Sequence, residues 1–497
     1  MPLDGDVCYR ALLAKDERFD GAFFVGVETT GIYCRPICPA KTPGRTRCRF
    51  FLRAIEAEQA GFRACFRCRP ELAPGQAPVD AVSRLASEAV RSIEAGFLDE
   101  HGVDDLAEKL GVTGRHLRRA LEREVGATPV ELAQARRLAL AKQLLHDSSL
   151  SVTEIAFVSG FSSLRRFHSA FLERFGSAPR LMKRSQVRGA GTSIAVRLDY
   201  IPPFDWASML AFLKQRAVEG VERVTQVEYR RTFRTSEGAG WLSITLSPPR
   251  SLRLEVHAAP TRELSSVIAK VRRLFDLDAR PHAIAERLGT HEWFAPLVAA
   301  RPGLRVPGAF DEFELAVRAI LGQQVSVRAA TTLCGRLVTR FGSTSGLEIA
   351  GLEMLFPAAK VLARASQVDL CALGLTRQRA GTILALARAI ASDQINLGPS
   401  SDPERIVKEL EKLPGIGPWT SQYIAMRALR WPDAFPGGDL EVRKALGVTA
   451  SSEASRLAEP LRPWRAYAVM HLWAGAGGPR LENEPVKPRK STLARRR

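Results

Sequence analysis

The chain has 497 residues and a formal charge of +19 at pH 7, and 45% of its residues are hydrophobic. This length indicates about three or four domains, with enough apolar residues for several cores. No apolar run approaches the roughly 18 residues of a membrane helix, and the N-terminus MPLDGDVCYR lacks a hydrophobic signal core, so we expect an intracellular protein without disulfides. The positive charge indicates a polyanionic partner, with nucleic acid as the leading candidate.

Two pairs of cysteines stand near the N-terminus. Cys34 and Cys38 lie in GIYCRPICPA, and Cys65 and Cys68 lie in AGFRACFRCRP after a spacer of 26 residues. This is the spacing of zinc ligands, and on spacing alone a purely structural zinc site is the more common outcome. Residues 31–70 hold nine Arg or Lys against two Glu, which indicates a basic surface around the cysteines.

Helical periodicity follows in the middle of the chain. In VDDLAEKLGVTGRHLRRALEREVG a helix ends at Gly111 and Thr113 can cap the next one, and SVTEIAFVSGFSSLRRFHSAFLERFG repeats the pattern with a turn at Gly160. The second helices of the two units carry the candidate DNA-binding residues Arg115, Arg118, Arg119, Arg165 and Arg166. Two such units joined by a long helix, around residues 128–146, resemble an AraC-type DNA-binding domain. The alternative is a helical bundle with charged outer faces.

The cysteine segment, followed directly by this helical pattern, resembles the N-terminal zinc module of Ada DNA-repair and response proteins. The resemblance implies that Cys34, Cys38, Cys65 and Cys68 bind one Zn²⁺. It also implies that Cys34 takes a methyl group from a methylated DNA phosphate.

Cys48 is a spare thiol that could compete as a ligand, and Cys8 remains unassigned. Ada proteins continue into a second methyltransferase with a Pro-Cys-His-Arg motif, which is absent here. Cys334 and Cys371 lack those neighbours and are expected in the core.

The C-terminal part begins near Arg197 with a helix and strand-like runs such as GWLSITLS and LRLEVHA. Further on, LPGIG lies between two helices, where Gly415 and Gly417 would let backbone N–H groups approach a DNA phosphate. Asp439 follows in a Pro-Gly-Gly-Asp turn. Together with FDWASMLAFL, RAILGQQVSV, ARPGLRVPG and WRAYAVMHLW, these residues resemble the helix-hairpin-helix glycosylase superfamily, and within it the AlkA-type 3-methyladenine DNA glycosylase II.

This second resemblance implies that Asp439 is the catalytic carboxylate, although an Asp here could simply cap the helix LEVRKAL. Trp419 and Tyr423 share a helix face, and by resemblance Trp473 and Phe212 complete a pocket for cationic bases; core packing is the alternative for each ring. The family inserts an apolar wedge into the base stack where this chain has Gln324. Trp419 stands where strand-cutting relatives have lysine, so a monofunctional hydrolase is expected and an oxidised-guanine glycosylase/lyase is disfavoured.

The predicted fold is multidomain and mainly α. We expect an Ada-type zinc-binding α/β module (1–74), an AraC-type double helix-turn-helix (80–184), an AlkA-type α+β subdomain (197–285), an all-α helix-hairpin-helix glycosylase domain (286–482) and a basic tail (483–497). The predicted function combines a DNA-3-methyladenine glycosylase with a methylphosphotriester-accepting transcriptional regulator. The alternative is a methylation-sensing regulator whose glycosylase region only binds DNA. The expected partners are RNA polymerase and double-stranded DNA that contains alkylated bases, methylphosphotriesters or promoter sites. We expect the protein to be a monomer that is cytoplasmic and associated with the nucleoid.

Overall fold

The computed structural model describes residues 5–476 except for 16–18, 20–22, 39, 66, 69, 71–83, 149, 184–192 and 399–400. The predicted basic tail (483–497) lies outside these residues. In the described part of the chain, no helix is long and apolar enough to span a membrane.

The N-terminal module (5–70) is a four-stranded sheet that brings the two cysteine pairs together. Its strands are in the order β3-β1-β2-β4, and β2 runs antiparallel to β1 but parallel to β4. Cys34 ends β2 and Cys65 follows β4 directly, with the N–H of Cys65 donating to the carbonyl of Tyr33 at 3.0 Å. The parallel pairing therefore sets both cysteine pairs at one end of the sheet. The elements are α1 Gly5–Ala14, β1 Phe24–Val27, β2 Ile32–Cys34, β3 Cys48–Phe51, α2 Ala54–Gln59 and β4 Arg63–Ala64.

The middle region (84–183) consists of helices throughout, as the sequence predicts. Thr113 caps α6 by accepting a hydrogen bond from the N–H of His116 at 3.2 Å, which confirms the predicted cap. Gly111 and Gly160, at the two predicted turns, have φ of +69° and +88°, a conformation that favours glycine. The helices are α3 Arg84–Glu94, α4 Phe97–Glu100, α5 Val103–Lys109, α6 Gly114–Val125, α7 Pro129–Asp147, α8 Val152–Val158, α9 Leu164–Phe175 and α10 Pro179–Met182.

A five-stranded antiparallel sheet follows, in the order β5-β9-β8-β7-β6. Alternate side chains of its strands are buried, and two helices, α11 and α12, contribute to the same core. The first strand begins at Ile194, three residues before the expected boundary at 197. The elements are β5 Ile194–Asp199, α11 Trp206–Arg216, β6 Glu222–Val224, β7 Glu228–Thr235, β8 Gly238–Ser247, β9 Ser251–His257 and α12 Leu264–Leu274.

The C-terminal part is a helical domain with two cores, which meet at the half-buried Tyr423. A two-stranded ribbon (β10 Ser343–Thr344, β11 Met354–Leu355) interrupts the helices. The helices are α13 Pro281–Gly289, α14 Ala295–Ala300, α15 Glu312–Leu321, α16 Val327–Phe341, α17 Ala359–Ala363, α18 Gln367–Ala372, α19 Arg377–Ala391, α20 Pro403–Glu411, α21 Pro418–Arg427, α22 Leu440–Leu446, α23 Ser451–Ala458 and α24 Arg465–Ala476.

A buried ionic network joins the five-stranded sheet to α15. Arg231 of β7 pairs with Glu314 at 2.8 Å, and Arg318 pairs with Glu222 of β6 at 2.6 Å. Burial alone would raise the pKa of Glu222, but the guanidinium groups of Arg318 and Arg231 outweigh it and hold the pKa below its ordinary value. Arg318 also donates to the carbonyl of Arg216 at 3.3 Å. The network therefore fixes the last turn of α11 against the helical domain.

A cleft of about 870 Å³ lies between the N-terminal module, the helical middle and the C-terminal part. Its walls carry charged side chains, and several of them pair with one another, as Arg430 does with Asp276 at 3.3 Å. None of the predicted substrate-binding residues lines this cleft. The cleft is therefore a gap between folding units and does not contain the candidate site.

Candidate active site and metal centre

The LPGIG segment forms a tight hairpin between α20 and α21. Gly415 has a φ of +86°, and a Cβ at this position would lie 2.0 Å from Oγ1 of Thr382. Both the backbone conformation and the lack of space therefore require glycine here. Gly417 is the N-cap of α21, and the space where its side chain would be is open. An external acceptor can therefore reach the first turn of α21, where a helix N-terminus favours negative charge.

The predicted wedge residue lies beside this hairpin and not among the aromatic rings. Gln324 is exposed and has a φ of +53°, a left-handed conformation that is uncommon for a residue with a side chain. Its neighbour Gln323 donates from Nε2 to the carbonyl of Gly415 and to Oγ1 of Thr420, both at 2.9 Å. The loop after α15 is thus tied to the hairpin and presents Gln324 to solvent.

Asp439 caps α22 and is held by two tryptophans. Its Oδ1 accepts from the backbone N–H groups of Glu441 and Val442 at 3.0 and 3.1 Å, so Asp439 does cap this helix, which is the alternative role that the sequence allows. The indole Nε1 of Trp473 donates to Oδ1 at 3.0 Å and that of Trp419 donates to Oδ2 at 2.9 Å. Among the described residues, no lysine or arginine forms an ion pair with this carboxylate. Its charge is fixed in position by neutral donors and remains available to a cation.

The four predicted aromatic residues form a continuous chain of rings next to Asp439. Trp419 and Tyr423 of α21 stack with centroids 5.4 Å apart, and Tyr423 lies 6.2 Å from Trp473 of α24. Phe212 of α11 lies 6.3 Å from Trp473 with the two rings nearly parallel. All four are half-buried, so the rings remain within reach of a ligand. Three helices distant in sequence therefore bring the predicted pocket residues together.

Two arginines that the sequence analysis did not single out complete this cluster. Nη1 of Arg427 donates to the hydroxyl of Tyr423 at 2.8 Å, and the guanidinium of Arg216 lies 3.7 Å from the centroid of Phe212. Burial would raise the pKa of Tyr423, but the charges of Arg427 and Arg216 outweigh it and lower the pKa below its ordinary value. Each arginine follows its aromatic partner by four residues on the same helix, and this spacing is the signal that could have identified both.

The sulfurs of Cys34, Cys38, Cys65 and Cys68 all lie within 4.8 Å of one another, and all four residues are buried. Hydrogen bonds from the neighbouring thiols raise the pKa of Cys34 and lower that of Cys38 to about 7. Four such thiols cannot all ionise together unless a cation compensates their charge. The backbone N–H of Arg35 donates to the sulfur of Cys68 at 3.4 Å. The donor set and its compact arrangement therefore fit one tetrahedral metal ion.

The other cysteines lie outside this group of four sulfurs, although Cys48 packs in the same buried cluster. Cys48 donates from its thiol to the carbonyl of Gly44 at 3.3 Å, and burial raises its pKa. Cys8 is buried in a small apolar cluster with Ala11 and Phe23. Cys334 lies in the core, where burial raises its pKa to about 12, and Cys371 packs against the same core. The core placement expected for Cys334 is confirmed, whereas Cys371 is only half-buried.

The five predicted DNA-contacting arginines of the helical middle are all exposed. Arg115, Arg118 and Arg119 lie on α6, and Arg165 and Arg166 lie on the first turn of α9. They therefore occupy the second helix of each unit, the position from which a helix-turn-helix protein reads the major groove.

Four family models match the chain in the predicted order. They are the metal binding domain of Ada (7–71), a helix-turn-helix domain (106–185), the AlkA N-terminal domain (195–311) and the HhH-GPD superfamily base excision DNA repair protein (317–461). A solved 3-methyladenine DNA-glycosylase from Archaeoglobus fulgidus matches with a TM-score of 0.51 and 22% identity, over 56% of this chain and 98% of the other. This structural likeness confirms the fold of the C-terminal half.

Two curated relatives cover different shares of the chain. DNA-3-methyladenine glycosylase 2 of Escherichia coli is 36% identical over 56% of this chain and 97% of its own. The "Probable bifunctional transcriptional activator/DNA repair enzyme AlkA" of Mycobacterium tuberculosis is 41% identical over 95% of this chain and 96% of its own. Because that match spans nearly the full length of both proteins, the chain belongs to the family of bifunctional transcriptional activator/DNA repair enzymes named AlkA, which confirms the family predicted from its motifs.

Proposed function

We propose that the chain hydrolyses the N-glycosidic bond of alkylated bases in double-stranded DNA, as a DNA-3-methyladenine glycosylase II, with Asp439 as its catalytic carboxylate. The observation that carries this proposal is the position of Asp439. Its carboxylate forms no ion pair with a lysine or arginine among the described residues, and two of the four neighbouring aromatic side chains donate hydrogen bonds to it. A flipped base that stacks on these rings would place its sugar next to the carboxylate.

The proposed reaction follows from this placement. The bond between C1′ and the base nitrogen breaks, its electron pair leaves with the base, and positive charge develops on the sugar. The negative charge of Asp439 stabilises that cation and orients a water molecule, whose oxygen forms the new bond to C1′. The water's proton passes to the carboxylate or to solvent. Purines alkylated at a ring nitrogen, such as 3-methyladenine and 7-methylguanine, are themselves cationic in DNA, so the faces of Trp419, Tyr423 and Trp473 attract them.

We expect a glycosylase without strand-cutting activity. Trp419, two residues after the hairpin, has no amine that could form a covalent bond to the sugar. The enzyme should leave an abasic site in an unbroken strand. Incubation with alkylated duplex DNA should produce strand breaks only after alkali or heat treatment, and borohydride should trap no covalent adduct between protein and DNA. An adduct trapped on a lysine of this chain would contradict the proposed hydrolytic mechanism.

For the N-terminal module we propose that the metal is zinc and that Cys34 accepts a methyl group from a methylphosphotriester. Zn²⁺ bound by the four cysteines would keep their sulfurs ionised at neutral pH. The Cys34 sulfur then attacks the methyl carbon, the bond from that carbon to the phosphate oxygen breaks, and the electron pair stays on the phosphate. Methylation removes one negative charge from the thiolate cluster and so weakens its repulsion of the DNA backbone.

Mass spectrometry tests the methyl acceptor directly. After exposure to DNA that carries methylphosphotriesters, peptide mapping should find one added methyl group on Cys34. DNA affinity, measured by fluorescence anisotropy on the same sample, should rise because repulsion has decreased. Methylation confined to Cys38 or Cys48 would overturn the assignment of Cys34.

The remaining assignments are proposals that follow from the same division of the chain. We assign methyl acceptance to residues 1–74, DNA binding to 80–184, and base excision to 197–285 together with 286–482. The exposed arginines of α6 and α9 support promoter DNA as a partner of the second region. RNA polymerase as a partner of the methylated form, and a monomeric state, are proposed on the same basis.

A further inference from the structure

Arg216 occupies a defined position at the inner end of the aromatic cluster. It is the last residue of α11, one turn after Phe212, and its backbone carbonyl accepts the hydrogen bond from Arg318 of the buried ionic network. The side chain is half-buried beside the hydroxyl of Tyr423, and it also interacts electrostatically with the carboxylate of Asp439. The fold thus anchors the backbone of Arg216 while its guanidinium reaches the pocket.

The hydrogen bonds of Arg216 differ from those of its neighbour Arg427. Arg427 is buried, and it donates to the carbonyls of Pro307 and Gly308 and to the hydroxyl of Tyr423. Arg216 donates from Nη1 to the carbonyl of Phe212 at 3.3 Å, and its other side-chain partner among the residues that the structure describes is the hydroxyl of Tyr423. A guanidinium has five N–H donors, so most donors of Arg216 remain available to a ligand.

The two arginines also change the electrostatics of this end of the pocket. The guanidinium carbons of Arg216 and Arg427 lie 3.7 and 4.9 Å from the centroid of Phe212. The electron-rich face of Phe212 therefore already has cationic partners, and the ring is less able to attract a cationic base than the sequence analysis expects. The pocket has negative charge at Asp439 and positive charge at Arg216, so a base with its sugar at Asp439 would turn an acceptor edge toward Arg216.

We propose that Arg216 is a specificity-determining residue that donates hydrogen bonds to the acceptor edge of the flipped base. A guanidinium can only donate, so it suits the O6 carbonyl of hypoxanthine or of guanine derivatives and opposes the amino group at position 6 of adenine derivatives. Arg216 therefore extends the pocket toward damaged purines that carry O6, relative to 3-methyladenine. This inference rests on the proposed glycosylase function and on the aromatic cluster as the base pocket.

The test compares two bases on each variant of the full-length chain. Single-turnover release of hypoxanthine and of 3-methyladenine is measured for the wild type, Arg216→Gln and Arg216→Lys. Arg216→Gln should lower the rate ratio of hypoxanthine to 3-methyladenine on the order of tenfold, because it removes the positive charge and most of the donors. Arg216→Lys keeps the positive charge but loses the planar, forked donors of the guanidinium. Its rate ratio should therefore lie between those of the wild type and Arg216→Gln.

The chain offers a matched control and distinguishable outcomes. Lys214→Gln removes a positive charge from the same last turn of α11, but its side chain is exposed, so the ratio should match the wild type. Both rates of a variant are measured on one protein sample. Partial unfolding therefore lowers both rates by the same factor and leaves their ratio unchanged. An unchanged ratio in Arg216→Gln would overturn the role of Arg216 alone. Failure of the wild type to release either base would overturn the proposed function, and this inference with it.

Discussion

Asp439→Asn should reduce 3-methyladenine release on the order of a hundredfold or more while DNA binding persists. The substitution keeps the shape of the side chain and removes its charge, which a cationic sugar requires. Asn caps a helix as well as Asp does, so the bonds from the N–H groups of Glu441 and Val442 can survive. Release of free base from methylated duplex DNA, measured by chromatography under single-turnover conditions, gives the rate.

The indole contacts refine the expected effect on stability. With the amide oxygen turned toward the cap, the Asn amide nitrogen would face Nε1 of Trp419, and two donors would meet where a bond exists now. We therefore expect a loss of about 1–3 kcal/mol in the free energy of unfolding. The capping role alone predicts a change within about 1 kcal/mol. Thermal unfolding of the purified variant distinguishes these two values.

Two further variants separate charge from position at this site. Trp419→Phe removes the indole donor and keeps the carboxylate, so its excision rate should exceed that of Asp439→Asn by on the order of tenfold. Asp402→Asn changes the cap of α20, which accepts from the N–H groups of Glu404 and Arg405, and it should leave excision unchanged. Near-normal excision by Asp439→Asn would reduce Asp439 to a helix cap and contradict the mechanism.

Cys65→Ser should abolish or greatly weaken zinc binding, whereas Cys48→Ser should retain it. Both residues are buried in the same module, but only the Cys65 sulfur belongs to the group of four. Structural zinc sites contribute about 10–16 kcal/mol of apparent binding free energy at pH 7, which is also folding free energy. Cys65→Ser should therefore also make the module sensitive to proteolysis.

Metal content after dialysis against a chelator measures this difference. The wild type and Cys48→Ser should retain a single zinc ion per chain, and Cys38→Ser and Cys68→Ser should behave like Cys65→Ser. A wild-type chain that is free of metal and still resists proteolysis in this module would refute the zinc site. Loss of zinc in Cys48→Ser would instead place Cys48 among the ligands.

The predictions that depend on local pattern agree with the structure. Turn and cap residues near Thr113 and Gly160 act within a few residues of the chain, so the two helix-turn-helix units and the long helix between them could be predicted. The cysteine spacing identified the four sulfurs, but not the parallel pairing of β2 with β4 that brings them together. The spacing of Trp419 and Tyr423 placed both on one helix face, because helical neighbours four residues apart meet.

The features that sequence reasoning missed depend on contacts distant in the chain. Trp473 lies 34 residues from the carboxylate to which it donates, and no local pattern specifies that bond. Arg231 lies between Tyr229 and Phe233 on the same buried face of β7. An arginine in a strand is normally expected at the surface. Its burial depends on Glu314, which is 83 residues away. Arg216 and Arg427 are different, because each follows an aromatic residue by four positions and this local spacing could have identified them.

Release of alkylated bases by the purified wild-type chain, with DNA binding measured on the same sample, tests the central claim most directly. The proposed site predicts free 3-methyladenine from methylated duplex DNA in amounts that exceed the enzyme present, with strands intact before alkali treatment. A chain that binds this DNA and releases no base would contradict the claim. That result would leave a regulator whose C-terminal half serves only to bind DNA.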